Sequence, residues 1–217
     1  MSRTSSLYFN LFILLFSSLQ AISKGSDTAL SIESHFTFTN STLTNQMLTF
    51  GFFKNGFTLA DSDTECAFKS TFPVSGNVSL HGGTLTLDSD LIFQNKTVLG
   101  TSGEFSADDH MIDFCETITG IPATEVTIFD NAKLFTNTNF NITGSVKFSG
   151  YCSIDGRGNS FILGSDGHII IGHDATLELR NLEMFGIYNN NVRCMDHSAK
   201  LILDNIRWVQ RGDYTFT

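Results

Sequence analysis

His173-Asp174-Ala175-Thr176-Leu177-Glu178-Leu179-Arg180-Asn181-Leu182 is followed 24 residues later by His197-Ser198-Ala199-Lys200-Leu201-Ile202-Leu203-Asp204-Asn205-Ile206. His, Ala, both Leu and Asn coincide, and Leu182 meets Ile206. A period in the twenties around a short alternating apolar core is the pattern of a stacked solenoid. One such unit is too small to bury its own apolar face, so neighbours must stack. Stacking lays Leu177 over Leu201 and Leu179 over Leu203 in the lumen. It also lays Asn181 over Asn205 at a turn, where side-chain amides can bond from coil to coil.

The rest of the chain has the same texture. Val78-Ser79-Leu80, Thr84-Leu85-Thr86-Leu87, Val146-Lys147-Phe148, Ser160-Phe161-Ile162-Leu163 and Ile169-Ile170-Ile171 are short bursts between Gly, Asn, Asp and Ser. Alternation over three to five residues means short strands with one buried face. Phe36-Thr-Phe38 and Phe50-Gly-Phe52 alternate the same way, which is what lumen filling requires. No long window carries a helical stripe. Asn55-Gly56 and Gly82-Gly83 are hairpin-competent, which keeps an antiparallel sandwich or barrel as the competing architecture. The repeat decides for a coil, because it returns equivalent residues in the same order. Gly83-Thr84-Leu85-Thr86-Leu87-Asp88-Ser89-Asp90-Leu91 echoes the pattern upstream, with Leu85 in the place of Leu177 and Asp90 in that of Asn181.

The expected fold is therefore all-β: a single-stranded right-handed parallel β-helix with coils of about 21–24 residues and a less regular N-terminal β region. The expected organisation is a signal peptide at 1–23, an irregular β region or cap at 24–75 and β-helix coils at 76–217. Arg3 supplies the positive n-region, Leu7 to Phe16 is apolar except for Asn10, and Ala21-Ile22-Ser23 is a small-x-small cleavage site ahead of Lys24. The apolar run is shorter than the roughly 20 residues a membrane span takes. The remaining ~190 residues make about eight coils, a rod near 40 Å long at one strand spacing per coil. The chain stops at Thr217, just after strand-like Tyr214-Thr-Phe-Thr, so an uncapped end is expected that continues, self-associates end to end or marks a fragment.

Only 16% of the 217 residues are charged, and the net charge is −9. Nucleic acid is excluded as a partner, since 13 scattered Lys and Arg form no phosphate-neutralising stripe. Cys66, Cys115, Cys152 and Cys194 contain no Cys-x-x-Cys pair, so zinc and thioredoxin-type chemistry have no support. Cys152 and Cys194 lie 42 residues apart, near two coil lengths. Equivalent places two coils apart are too distant for a direct disulfide. Buried free thiols are the expectation. Sequons at Asn40, Asn77, Asn95 and Asn141 arise readily by chance in a chain so rich in Asn, Ser and Thr.

Gly144-Ser-Val-Lys-Phe-Ser-Gly-Tyr-Cys-Ser-Ile-Asp155-Gly156-Arg157-Gly158-Asn159 resembles the Ile-Asp-Gly-x-Gly-Asn turn of right-handed parallel β-helix proteins, the pectate-lyase-like superfamily in the broad sense. Gly76-Asn77-Val78 through Gly82-Gly83-Thr84-Leu85-Thr86-Leu87 is similar to coils of secreted bacterial β-helix proteins and polymorphic outer-membrane-protein passengers. The resemblance covers roughly 76–217 and concerns structural positions. Hydrolases of the polygalacturonase type carry Asn-Thr-Asp, Asp-Asp, Gly-His-Gly and Arg-Ile-Lys elements. This chain has only Asp108-Asp109-His110 and Gly167-His168.

Each candidate for chemistry has a simpler structural account. Asp108 and Asp109 have the residue types of a glycosidase acid–base pair, but adjacent Asp in a polar stretch also make a turn. Asp61-Ser62-Asp63 and Asp88-Ser89-Asp90 put paired carboxylates on one face, suited to a hard cation, yet no calcium loop surrounds them and Asx turns explain them. His173 and His197 occupy equivalent places and stack about one strand spacing apart, a metal geometry if Asp174 or Asp196 joins them. Polar residues ahead of a strand are the preferred account. Arg211-Gly212-Asp213 is an integrin tripeptide that occurs by chance. The reading is thus no catalytic residue, no cofactor and no metal.

The first function is an exported or cell-surface β-helix with a structural or adhesin-like role. Its partner is a polysaccharide or a host or cell-surface ligand, and it has no membrane segment after signal cleavage. The alternatives are a polysaccharide lyase or glycosidase with an unfamiliar site, and a truncated piece of a longer surface protein. A groove with three or more convergent carboxylates and an Arg or Lys is the feature that favours the enzyme.

Overall fold

The computed structural model describes the backbone of six short strands from Ser31–Ile32 to Glu65–Lys69, then Val74 and residues 77–210 apart from 95–96, 99–101, 116–117, 120–125 and 189. The expected signal peptide at 1–23, Asn40, Asp61, Asp63, Asn95 and Arg211-Gly212-Asp213 lie outside the described residues.

The chain winds round three faces of parallel strands, the second and third joined into one sheet through Thr176–Ile187. The first face stacks Thr84–Leu87, Gly103–Ser106, Val126–Asp130, Ser145–Ser149, His168–Ile171 and Val192–Cys194. The second stacks Leu91–Phe93, Met111–Phe114, Lys133–Thr136, Tyr151–Asp155 and the leading halves of Thr176–Ile187 and Lys200–Gln210. The third stacks Thr97–Val98, Ile118–Thr119, Phe140–Ile142, Ser160–Leu163 and the trailing halves of the same two long strands. Every ladder among the described residues is parallel. The result is a parallel β-solenoid of about five turns from Leu85 to Cys194, which stand in one column. Gly82, with φ 91°, turns the chain from Asn77–Ser79, which pairs with Gly56–Leu59, to Thr84–Leu87 of the first face rather than closing a hairpin, so the antiparallel alternative is set aside. Upstream, Glu65–Lys69 joins the first face beside Thr84–Leu87, and Leu48–Thr49 joins beside Glu65–Lys69. No helix among the described residues is long and apolar enough to cross a membrane.

The alternation read from the sequence sorts side chains between lumen and exterior. The first-face column is Leu85, Phe105, Phe129, Phe148 and Ile171, all essentially buried. Its rings stack at centroid distances of 5.2 and 5.9 Å. Phe93, Phe114, Phe140 and Phe161 form a second aromatic row, at 5.1, 6.0 and 4.6 Å. Such pairs add about 0.5–1.5 kcal/mol each beyond area burial. In the first column one lumen position recurs in every coil and each ring covers the next, whereas the second row passes from the second face to the third at Phe114–Phe140.

The 24-residue repeat is in register as expected. Leu177 pairs with Leu201, Leu179 with Leu203 and Leu182 with Ile206. Leu177 and Leu179 are fully buried, whereas Leu203 is 46% exposed, because no described strand lies beyond Lys200–Gln210. The upstream echo needs correction. Leu85 sits on the first face and Leu177 on the second, so they are not equivalent. Coil length varies, as the Cys66–Leu85 and Ile154–Leu179 pairings show (19 and 25 residues), so any fixed period loses phase. The Cys premise fails likewise. Cys152 lies on the second face and Cys194 on the first. Both are free, as is Cys115. Cys152 donates to the Phe129 and Ser149 carbonyls, and burial pushes its thiol up to about 11.

Leu179→Ala is expected to cost about 2–5 kcal/mol in urea unfolding, as for other buried Leu deletions. Leu203→Ala, on the last described strand and 46% exposed, is expected to cost less than about 1 kcal/mol. Equal costs would contradict the lumen assignment. Cys152 is expected to resist alkylation in the folded protein at pH 8 and to react once urea unfolds it.

Candidate functional site

The corner between the second and third faces is built by residues that accept left-handed backbone. Arg157, Asn181 and Asn205 have φ of 50°, 51° and 54°. In the last two coils the bend is so tight that one strand covers both faces. Asn tolerates this conformation better than most residues, since its short side chain can hydrogen-bond locally. The three coils are then tied by side chains. Asn205 Nδ2 donates to Asn181 Oδ1 at 2.9 Å, and Asn181 Nδ2 donates to Asp155 Oδ1 at 3.3 Å. The stacked Asn pair expected from the repeat is thus present, with Asp155 as its third member.

Ile154-Asp155-Gly156-Arg157-Gly158-Asn159 makes the preceding copy of this corner. Asp155 Oδ1 accepts from the Arg157 amide at 2.9 Å, and Asn159 Nδ2 donates to the Thr136 and Gly156 carbonyls at 3.0 and 2.9 Å. A Cβ on Gly156 would lie 2.4 Å from the Leu182 Cβ, so the next coil demands glycine there.

A groove of about 600 Å³ runs over this corner. Asp155, Arg157, Asn181, Glu183, Asn205 and Arg207 line it, with Gly158, Leu182 and Ile206 between them. Its Arg and Glu side chains are ion-paired across coils, and its Asp155 is held by amide donors. Arg207 Nη1 meets Glu183 Oε1 at 3.0 Å. Arg157 Nη1 lies 3.3 Å from Asp113 Oδ2 and donates to Asn137 Oδ1 at 2.6 Å, with its guanidinium over the Phe135 ring at 4.7 Å. Asn137 Nδ2 also donates to Asp113 Oδ1 at 3.1 Å.

Beside the groove, the exterior row of the second face runs Asp113, Phe135, Asp155, Arg180, Asp204 in register. With Arg157 seated on Phe135, charges alternate in sign along the stack. Like charges in directly opposed positions destabilise a sheet, and this order avoids them. Next to the row, the Tyr151 hydroxyl donates to Glu178 Oε2, and Arg180 holds Oε1 through Nε at 2.7 Å and Nη2 at 2.6 Å. The Tyr151 bond, then Arg180, hold the Glu178 carboxyl below its usual range. The same bond raises the Tyr151 phenol, which is therefore a donor and not an activated base.

The sequence candidates go elsewhere. Asp108 and Asp109 have φ of 46° and 69° and form the exposed turn between the first and second faces, with Lys133 3.8 Å from Asp109. Asp90 Oδ1 accepts from the Met111 amide at 2.9 Å and so caps the neighbouring coil. His173 does not pair with His197. Its Nδ1 donates to Asp196 Oδ2 at 2.6 Å, while Asp196 Oδ1 accepts from the Ser198 hydroxyl and the Ser198 and Ala199 amides. The Ser198 hydroxyl, then His173, depress the Asp196 carboxyl strongly. His168 Nδ1 bonds the Asp166 carbonyl at 2.9 Å. No cluster of three His, Cys, Asp or Glu suited to a metal occurs among the described residues. The groove lining brings two carboxylates together, Asp155 and Glu183, one engaged by amides and one by Arg207.

Arg157, Glu183 and Arg207 were not among the sequence candidates. Glu183 and Arg207 are 24 residues apart, so the repeat itself aligns opposite charges and is the signal for this pair. The chain matches no family model, no curated protein and no solved structure.

Because Glu178 is depressed when folded, its contribution is present above the ordinary carboxylate range and is lost as pH falls through the lowered value. Glu178→Gln is expected to lower the urea midpoint at pH 7, with the gap to wild type closing in acid. A gap that stays constant down to pH 2 would show that the ion pair is not its cause.

Proposed function

We propose that this chain is an exported or cell-surface parallel β-solenoid, of the pectate-lyase-like kind in the broad sense, with an adhesin-like or structural binding role. The observation that carries this reading is the corner groove. Its ionic side chains are held by partners within the protein, and its polar atoms repeat from coil to coil. A general acid or base must be within reach of a proton it transfers and poised to exchange it. Charged side chains held by ion pairs and amides along a corner suit recognition instead. Export is supported by Arg3, the apolar run Leu7 to Phe16 and the Ala21-Ile22-Ser23 site. Resemblance to secreted bacterial β-helix proteins, carried by Gly76-Asn77-Val78 through Gly82-Gly83-Thr84-Leu85-Thr86-Leu87, points the same way.

A second reading, cleavage of a polysaccharide, has one observation in its favour: Asp155 and Glu183 share the groove with Arg157 and Arg207. Fold alone does not decide between the two.

A fusion of residues 1–30 to a reporter is expected to be exported from a bacterial host, with the mature end at Lys24. Labelled full-length protein is expected to adhere to extracted cell-surface or matrix material without degrading it. Retention of the reporter in the cytoplasm sinks export, and release of unsaturated or reducing ends from polyuronides sinks the non-enzymatic role.

A further inference from the structure

We propose that the last described strand is an interface for a second copy of this chain. Two stacks join end to end about a two-fold axis through Ile202, with residues 200–204 of the copies paired antiparallel. The inference goes beyond the binding role above and does not rest on it.

The apolar side chains at this end of the stack lack a cover. Leu201 and Leu203 continue the lumen columns of Leu177 and Leu179 in register. Leu177 and Leu179 are fully buried, whereas Leu203 is 46% exposed and Leu201 half-buried. On the outer side of the same strand Ile202 is 41% exposed. Apolar side chains are thus uncovered on both sides of one strand, and no described strand lies beyond it. The backbone matches. The Lys200 amide donates to the Ala175 carbonyl at 2.8 Å, toward the preceding coil. Successive amides alternate in direction along a strand, so those of Leu201 and Leu203 point away from that coil. Such a row is a ready template for pairing with another chain.

Charge and register select the same chain as the occupant. Two copies of one edge related by a two-fold run antiparallel, and residues opposed in an antiparallel pair lie on one face. The axis must therefore pass through a residue. At Lys200 or Asp204 it sets like charge on like. At Leu201 it opposes Lys200 to Ile202, and at Leu203 it opposes Ile202 to Asp204. At Ile202 every pair matches: Lys200 meets Asp204 of the second copy, Leu201 meets Leu203, and Ile202 meets its own equivalent. Leu201 and Leu203, with their outward amides, become hydrogen-bonded pairs that exchange N–H···O bonds. Lys200–Asp204 and Ile202–Ile202 are then non-hydrogen-bonded pairs, whose Cα atoms come closer, about 4.5 Å apart. Opposite charges so placed stabilise a sheet and like charges destabilise it. A contact of this kind is self-complementary and closes, giving a dimer rather than a filament. Leu201 and Leu203 of both copies then seal the lumen at the joint.

The test is sedimentation of the full chain under reducing conditions, from about 1 µM to about 500 µM. A monomer–dimer equilibrium is expected, and the small cost of Leu203→Ala given above refers to the dilute monomer. Lys200→Glu opposes carboxylates across the joint, and Asp204→Lys opposes ammonium groups. Each variant alone is expected to weaken the dimer about tenfold or more. Both side chains are exposed, and Lys200 lies beside Thr176, so each variant is expected to melt like the wild type when dilute. Mixed in equal amounts, the two variants are expected to regain the dimer, because the introduced charges then oppose each other and the native pair is kept. A monomer at every concentration, as when residues 211–217 of the same chain cover the edge, overturns the proposal. So does a growing series of oligomers, which marks head-to-tail stacking. A dimer that both variants leave unchanged, or a mixture that stays monomeric, overturns the axis through Ile202.

Discussion

Each coil of this solenoid depends on its neighbours in register for a hydrophobic environment. A turn of about twenty residues encloses too few atoms to bury its own side chains, so Phe129 is covered by Phe105 on one side and Phe148 on the other. Side chains alternate between faces with a period of two, so a slip of one residue would expel a whole lumen column. Leu203 shows the dependence directly. It repeats Leu179 in sequence and register but lacks a described strand beyond it, and it is exposed where Leu179 is buried.

Register must also be carried round three corners. At the corner between the second and third faces this is done by left-handed residues whose side chains bond along the stack. Asp155, Asn181 and Asn205 serve the backbone and one another. The same stacking sets the exterior. Asp113, Arg157, Asp155, Arg180 and Asp204 alternate in sign because parallel register places equivalent positions side by side, where like charges repel. The groove is a consequence of this geometry: a tight corner, repeated, with long charged side chains on either side of it.

Lumen and ladder positions were legible in the chain. The alternating bursts are strands, the matching segments stack in register, and Asn181 bonds Asn205. Legibility failed where phase mattered. Leu85 and Leu177 look alike but occupy different faces, because insertions at the corners change coil length without disturbing the strands. His173 and His197 are equivalent in the repeat, yet Asp196 is the partner His173 takes. Side chains at a corner choose among several neighbours by distance, and spacing along the chain does not rank them.

The sequence by itself determined that this protein is a stack of parallel coils and which residues face inward over its last two turns. Those features follow from local alternation and a nearby repeat, both properties of the chain alone. The tertiary structure decided which coils align over the whole length and where the polar surface concentrates. Arg157 finds Asp113 and Phe135, and Tyr151 finds Glu178, across coils 22–44 residues apart in the chain. Those meetings depend on the summed lengths of intervening turns, and such sums are fixed only when the lumen closes.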